Sequence, residues 1–323
     1  MISVIMACYN AENFLDPAIV SILNQTFTEF ELIMVDDGSE DETIQIIERY
    51  QKQDDRIRVI HSDHGGASQA RNLGIEVAKY PWIGIMDSDD IALPQRFERQ
   101  MEVIAAMPQL VGLGATVHHI NSRGEILSVS PLGPTTEAQF YQMRQQGHVV
   151  NLNHPTALFK KDIILKVGGY RAEFFPAEDL ELMDRMAEYG PIISLPEPLL
   201  LYRVHSQSGS MQRFFFQRQV MRYVRSRHVA RLEGKPEPTF EEFIQERAAW
   251  PILKRLSKYL ETLAMFYYRR SGLLVGEKQY IPASFYLGLS AILNPQYTLP
   301  RIWGQVLSPQ TREMVKTSSR LVK

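Results

Sequence analysis

Residues 82–90 read WIGIMDSDD, an apolar run that stops abruptly in three carboxylates, Asp87, Asp89 and Asp90. A short, continuous apolar stretch bounded by polar residues is the signature of a strand buried on both faces. Three earlier stretches have the same character: SVIMAC at 3–8, ELIMVDD at 31–37 and IRVIHS at 57–62. Between them apolar residues fall at helical spacing. Phe14, Ile19, Ile22 and Leu23 form one face, Ile44, Ile46, Ile47 and Tyr50 a second, and Ala70, Leu73, Ile75 and Val77 a third. This alternation predicts an α/β fold, a mostly parallel sheet flanked by helices and joined by right-handed crossovers.

In open sheets of this kind ligands bind beyond the carboxyl ends of the strands. Those ends carry Tyr9 and Asn10, Asp36 and Asp37, His61 to Gly66, and Asp87 to Asp90. No G-x-x-x-x-G-K-[ST] loop is present and no G-x-G-x-x-G follows the first strand, which argues against kinase-like and dehydrogenase functions. VDDGS serves equally well as a helix-capping turn, with Asp41 a candidate N-cap, or as part of a ligand site. The acidic cluster is more telling, because neighbouring carboxylates raise each other's pKa unless a cation sits between them. Asp87 and Asp89, at i and i+2 of an extended strand end, face the same side. Both can offer oxygen to one hard cation, Mg²⁺ or Mn²⁺, that also touches substrate phosphates. Such a pair is common in loops; its place beside two other polar strand ends gives it weight.

The chain of 323 residues, 45% hydrophobic, can build one large domain with an appendage or two domains. Its single cysteine, Cys8, excludes an intramolecular disulfide framework and a Cys-rich metal site, and fits a cytoplasmic setting. MISVIMACYN lacks a basic leader and reads as a strand rather than a signal peptide. The uncharged run from Gln279 to Pro300 is interrupted by Pro282 and Pro295, so no spanning helix is expected. Charge is strongly segregated. Residues 1–210 hold 16 basic against 29 acidic side chains, a net −13, and residues 211–323 hold 19 against 8, a net +11. The expected organisation is therefore an acidic domain, 1–210, and a basic, mainly helical extension, 211–323, with an anionic partner. In that extension Arg218, Arg222 and Arg225 lie at i, i+4 and i+7 beside Phe214, Phe215 and Phe216. They form either a solvated helix face or an interfacial helix drawn to an anionic membrane surface, with Arg269, Arg270 and residues 283–293 adding contact. No nucleic-acid-binding signature is present.

Five blocks now carry a resemblance: SVIMACYNAENFL, SILNQTFTEFELIMVDDGSEDET, HGGASQARNLGIEVAKYPWIGIMDSDD, FFPAEDLELMDRMAEYG and LYRVHSQSGS. Their order and spacing over about residues 1–210 resemble the family 2 glycosyltransferases with the GT-A fold. The resemblance implies inverting transfer of a sugar from a UDP-, GDP- or dTDP-sugar donor to a glycan or lipid-linked acceptor. It further implies a role in polysaccharide or other glycan biosynthesis, in the cytoplasm or peripherally on the inner face of the membrane. Carried over by residue, Ala7, Tyr9 and Asp37 line the nucleobase pocket, Tyr9 lying against the base and Asp37 accepting from it. Arg71 lies near the nucleotide, Asp87 by the ribose and metal, and Asp89 is the metal-binding carboxylate. His205, with Arg203 two residues before it, is either a further metal or phosphate contact or a loop histidine. Ala7 departs modestly from the pattern, which leaves the base open.

Elementary chemistry agrees with this scheme. A departing diphosphate needs a cation to absorb its charge, and inversion needs one general base on the acceptor side. Glu178-Asp179 is the candidate pair, and by the family pattern Asp179 is the base. Leu180, Met183, Met186 and Ala187 mark one side of the helix that follows. Asp179 then stands near its start, where the helix dipole favours a carboxylate; an ordinary acidic cap is the alternative. His154 is expected at the acceptor site or as a loop former before a strand, Trp82 in the core, and loops between Thr116 and Asn153 around the acceptor. Two other functions compete: a nucleotidyltransferase, and a non-catalytic sugar-nucleotide or glycan-binding module. Neither needs a positioned base at Asp179.

Overall fold

The computed structural model describes residues 1–205 and 209–303. The four apolar stretches form β1 (Ile2–Cys8), β2 (Phe30–Asp36), β3 (Ile57–His61) and β4 (Trp82–Asp87), each within a residue of its expected bounds. The intervening patterns form α1 (Leu15–Leu23), α2 (Thr43–Gln51) and α3 (Ala67–Val77). Ile19, Ile22, Ile46, Ile47, Ala70 and Ile75 point into the core, whereas Val77, read as part of the third face, is exposed at the end of α3. These strands pair in parallel in the order β3-β2-β1-β4. The register sets Ala7 of β1 between Val35 of β2 and Asp87 of β4, so the polar strand ends emerge at one edge. Trp82 is buried, as expected.

Beyond β4 the sheet changes direction. The remaining elements are β5 (Ile91–Ala92), α4 (Arg96–Ala106), β6 (Gly112–Ile120), β7 (Ile126–Ser130), α5 (Glu137–Gln145), β8 (Leu158–Lys160), α6 (Lys161–Lys166), α7 (Glu178–Met186) and β9 (Ile192–Arg203). The sheet continues β4-β8-β6-β9-β5, with β7 paired to β6, and β8 is antiparallel to both neighbours. The parallel half read from sequence is thus completed by an antiparallel half. Half of 116–153, expected as loops, is occupied by the end of β6, by β7 and by α5.

The chain divides into two compact units, Met1–Val117 with Pro131–Tyr202, and His118–Ser130 with Arg203–Lys323. The second unit joins the turn from the end of β6 into β7 to α8 (Gly209–Gln212), α9 (Phe214–Leu232), α10 (Phe240–Ala248), α11 (Ile252–Gly276), α12 (Tyr280–Leu293) and α13 (Pro295–Ile302). α11 and α12 run antiparallel: Ser271 Oγ donates to the Ala283 carbonyl and Ser290 Oγ to that of Ala264, both at 2.8 Å. The arginine stripe of α9 is not a solvated face. Arg222 donates to Thr262 Oγ1 at 2.6 Å, Arg218 lies 5.1 Å from the Phe214 ring centre, and burial lowers the pKa of both guanidiniums. Only Arg225 of the three is exposed. Among the described residues no helix is long and apolar enough to cross a membrane.

Candidate functional site

Three strand ends of the first unit and the start of α7 carry the chemistry. At the first two ends, the Asp37 amide donates to the Cys8 carbonyl at 2.8 Å, tying Tyr9 to the VDDGS turn. The Asp37 carboxylate is buried and already engaged. It accepts the amides of Gly65 and Gly66, each at 2.9 Å, and His64 Nδ1 lies 3.3 Å from its Oδ2. Glycine at 66, with φ of +85°, lets the chain turn into α3 while presenting that amide. Asp37, expected to accept from a base, therefore organises the loop from β3 to α3 in this structure. The His64 ring lies on Tyr9, with centroids 4.3 Å apart and planes 32° apart, so Tyr9 does offer a stacking surface, with His64 upon it. Sequence reading listed His64 only within a polar strand end; the His-Gly-Gly run was the available signal.

At the third end, protein guanidiniums neutralise part of the acidic cluster. Arg71 Nη2 pairs with Asp87 Oδ1 at 3.1 Å. Arg96 is fully buried behind the turn, donating to the Ile85 carbonyl at 2.9 Å, and the charges of Asp90 and Asp87 favour its cationic form. Burial still pulls the Arg96 pKa down to about 9, a measure of how dry this side of the turn is. Asp90, buried against this charge, belongs to the scaffold. Asp87 and Asp89 are half-buried. Burial pushes the Asp87 carboxyl up; Arg71 counteracts this, and the Asp89 charge adds to it. Two neighbouring hard oxygen donors, the first held up chiefly by burial with Arg71 offsetting more than the Asp89 charge adds, are a donor set that fits a divalent cation.

Arg71 also reaches the start of α7. Its Nη1 pairs with Glu178 Oε1 at 3.2 Å, and its Cζ lies 5.6 Å from the Tyr170 ring centre. Tyr170 is fixed in turn by backbone bonds of 2.8 Å to both ends of the Asn72 amide, and its hydroxyl meets His154 Nε2 at 2.7 Å. His154 sits in a short 3₁₀ turn just before β8, and burial holds its pKa well below the usual imidazole range. It is thus a buried support for Tyr170. Asp179, next to Glu178, differs from it. It is half-buried, accepts the Leu180 amide at 2.7 Å, and among the described residues no side chain pairs with it. Burial and the neighbouring Glu178 charge push its pKa up to about 7. The expected helix follows, with Leu180, Met183, Met186 and Ala187 buried.

His205 falls in the second unit, half-buried just after β9. Arg203, expected beside it on a phosphate-facing loop, is instead buried and donates to the carbonyls of Asn121 at 2.9 Å and Ser122 at 3.1 Å.

The family model for glycosyl transferase family 2 matches residues 3–168. The O-antigen biosynthesis glycosyltransferase WbnJ of Escherichia coli is 36% identical over 217 residues, 64% of this chain and 81% of that protein. The amylovoran biosynthesis glycosyltransferase AmsE of Erwinia amylovora is 30% identical over 218 residues, 66% of this chain and 80% of that one. Among solved structures, S. aureus TarS 1–349 in complex with UDP-GlcNAc aligns with a TM-score of 0.56 over 90% of this chain and 91% of that chain, at 17% identity. That likeness is one of fold, the mixed sheet with flanking helices.

Proposed function

The chain belongs to glycosyl transferase family 2, and on that premise we propose that its GT-A unit moves a sugar, with inversion, from a nucleotide-diphosphate donor to an acceptor hydroxyl, Asp179 serving as general base. The observation that carries this reading is the contrast within one dipeptide: Glu178 is held by Arg71 while Asp179 has no side-chain partner among the described residues and is pushed up to about 7. A base of that pKa takes a proton effectively near neutral pH.

Tyr9 offers its ring to the nucleobase, with Ala7 beneath and the Asp37-braced loop alongside. Arg71 holds Asp87 toward the ribose and keeps Glu178 from competing for the acceptor proton. Asp89, with Asp87, would hold Mn²⁺ or Mg²⁺, which as a Lewis acid absorbs charge developing on the leaving diphosphate. The acceptor hydroxyl passes its proton to Asp179 as its oxygen attacks the anomeric carbon opposite the leaving group, so no enzyme-bound sugar is formed. UDP-sugars are the first donors to try, since UDP-GlcNAc is the ligand of the TarS complex. Given the names of WbnJ and AmsE, we place the reaction in polysaccharide assembly, in the cytoplasm, with a glycan or lipid-linked acceptor at the inner membrane face.

The test is calorimetric titration with UDP, GDP, dTDP and their sugars, with Mn²⁺ or with EDTA, alongside product analysis. Metal-dependent binding of one base with release of its nucleoside diphosphate supports the reading. Binding without turnover over a broad acceptor set turns it toward a binding module, and release of pyrophosphate toward a nucleotidyltransferase.

A further inference from the structure

The first turns of α11 present an apolar arc to solvent. Ile252 is 78% exposed, Leu253 77%, Leu256 51% and Tyr259 56%. At about 100° per residue these four side chains fall within an arc of roughly 120°, while Lys254, Arg255 and Lys258 occupy the remainder. Phe215 of α9, 40% exposed, stacks on Tyr259 with centroids 6.2 Å apart and enlarges the apolar surface. At the head of the helix the Lys254 ammonium lies 3.7 Å from the Trp250 ring centre. Between Arg247 and Lys258 the sequence holds four basic and no acidic residues, with Glu246 and Glu261 bordering the stretch and Glu261 paired to Lys258 at 2.8 Å. An amphipathic helix in a folded protein ordinarily turns its apolar arc inward; here the arc faces out and is bordered by cations.

We propose that this face of α11 docks on an anionic lipid surface, its aliphatic arc entering the acyl boundary and Lys254, Arg255 and Lys258 lying among the headgroups. Charge complementarity selects this occupant over a second copy of the chain. Lys258 is bridged to Glu261 of the same helix at 2.8 Å; a two-fold interface would bring Lys254 and Arg255 toward their own images within a segment, 211–323, of net charge +11, whereas an anionic headgroup layer pairs both. The surface belongs to the second unit and does not depend on the donor-site reading. It replaces the arginine stripe of α9, two members of which are turned inward, as the membrane-facing element.

The experiment is sedimentation of the full chain with vesicles of phosphatidylcholine alone, or of phosphatidylcholine with one part in three phosphatidylglycerol, at low and high salt. Binding is expected only to the anionic vesicles and should weaken as salt rises. Leu253→Ser with Leu256→Ser should weaken it roughly tenfold or more, and each of Lys254→Gln and Arg255→Gln about fivefold, with Lys258→Gln, whose cation is already paired to Glu261, having the smaller effect. Melting temperature and nucleotide affinity should stay unchanged in these surface variants, which separates loss of docking from misfolding. Equal binding of the native chain and the Leu253/Leu256 variant overturns the proposal, as does equal binding to both vesicle types. Concentration-dependent dimerisation that the same variant abolishes, without vesicle binding, assigns the face to a second copy instead.

Discussion

Glu178 and Asp179 are adjacent carboxylates in opposite surroundings, one paired with Arg71 and the other without a side-chain partner among the described residues. Asp179→Asn should lower kcat by about 10²–10⁴-fold, the usual contribution of a general base, with nucleotide affinity nearly unchanged by calorimetry. The native kcat/KM should rise with pH through about 7, because only the unprotonated carboxylate accepts a proton. The same shift carries a stability cost. An unfolded Asp titrates near 3.8, so between that pH and 7 the folded chain binds more protons, and stability falls as pH rises across this window. The side chain is only half-buried, so the penalty is discounted to about 1 kcal/mol. Asn escapes it, and the inactive variant should melt about 2–4 °C higher at pH 8. His64 poses a different question. Its ring covers Tyr9, and a base that uses this surface must displace it. His64→Ala should therefore tighten nucleoside diphosphate binding about two- to tenfold, the range of one aromatic pair; weaker binding would make His64 a wall of the pocket rather than its cover.

Helix α3 shows how far an element can be read locally. Its apolar spacing located it, but its closeness to the sheet depends on Gly74, where an added Cβ would lie 2.7 Å from Ile5 Cγ2 and 3.4 Å from Val35 Cγ2. Gly→Ala within a helix normally gains about 1 kcal/mol. Here overpacking costs about 1–3 kcal/mol, so Gly74→Ala should lower the denaturation midpoint, and a raised midpoint would contradict this packing. From the same helix the largely buried Arg71 reaches both Asp87 at the end of β4 and Glu178 of α7, the latter 107 positions away from it in sequence. Arg71→Met leaves Asp87 and Glu178 without that cation and should cost about 3–5 kcal/mol, read by urea unfolding, along with most of the nucleotide affinity. The strands β1 to β4 were legible because each is a continuous apolar run with its neighbour close in sequence. The antiparallel half was not, because β8 has only three residues and its partners are set by tertiary pairing. In the site, residue types and strand ends were legible. What a lone sequence concealed was occupancy: the Asp37 oxygens taken by glycine amides, and Asp90 set against buried Arg96.

At the scale of the molecule, the second unit is assembled from two distant pieces of sequence, His118–Ser130 and the segment from Arg203 onward. Local signals cannot announce such an association, because the turn between β6 and β7 reads as an ordinary polar hairpin. The bond that makes it part of the helical unit is Asn121, whose Nδ2 donates to the Gly276 carbonyl at 2.9 Å, near the end of α11. Its Oδ1 meanwhile accepts the amides of Arg123 at 3.0 Å and Glu125 at 2.9 Å, shaping the turn itself. Gly276 keeps this approach close: an added Cβ there would stand 2.8 Å from Leu127 Cδ1. Lys278 completes the junction by pairing with Glu125 at 3.0 Å, an exposed contact that contributes little. Asn121 is buried, so Asn121→Ala leaves the Gly276 carbonyl and two amides short of partners, at a cost of about 1–3 kcal/mol for the first of these. Hydrogen exchange should then quicken together in 118–130 and in the last turns of α11, while β1, β2 and β4 keep their protection. Faster exchange in the turn alone would mean that the two pieces are not one cooperative unit.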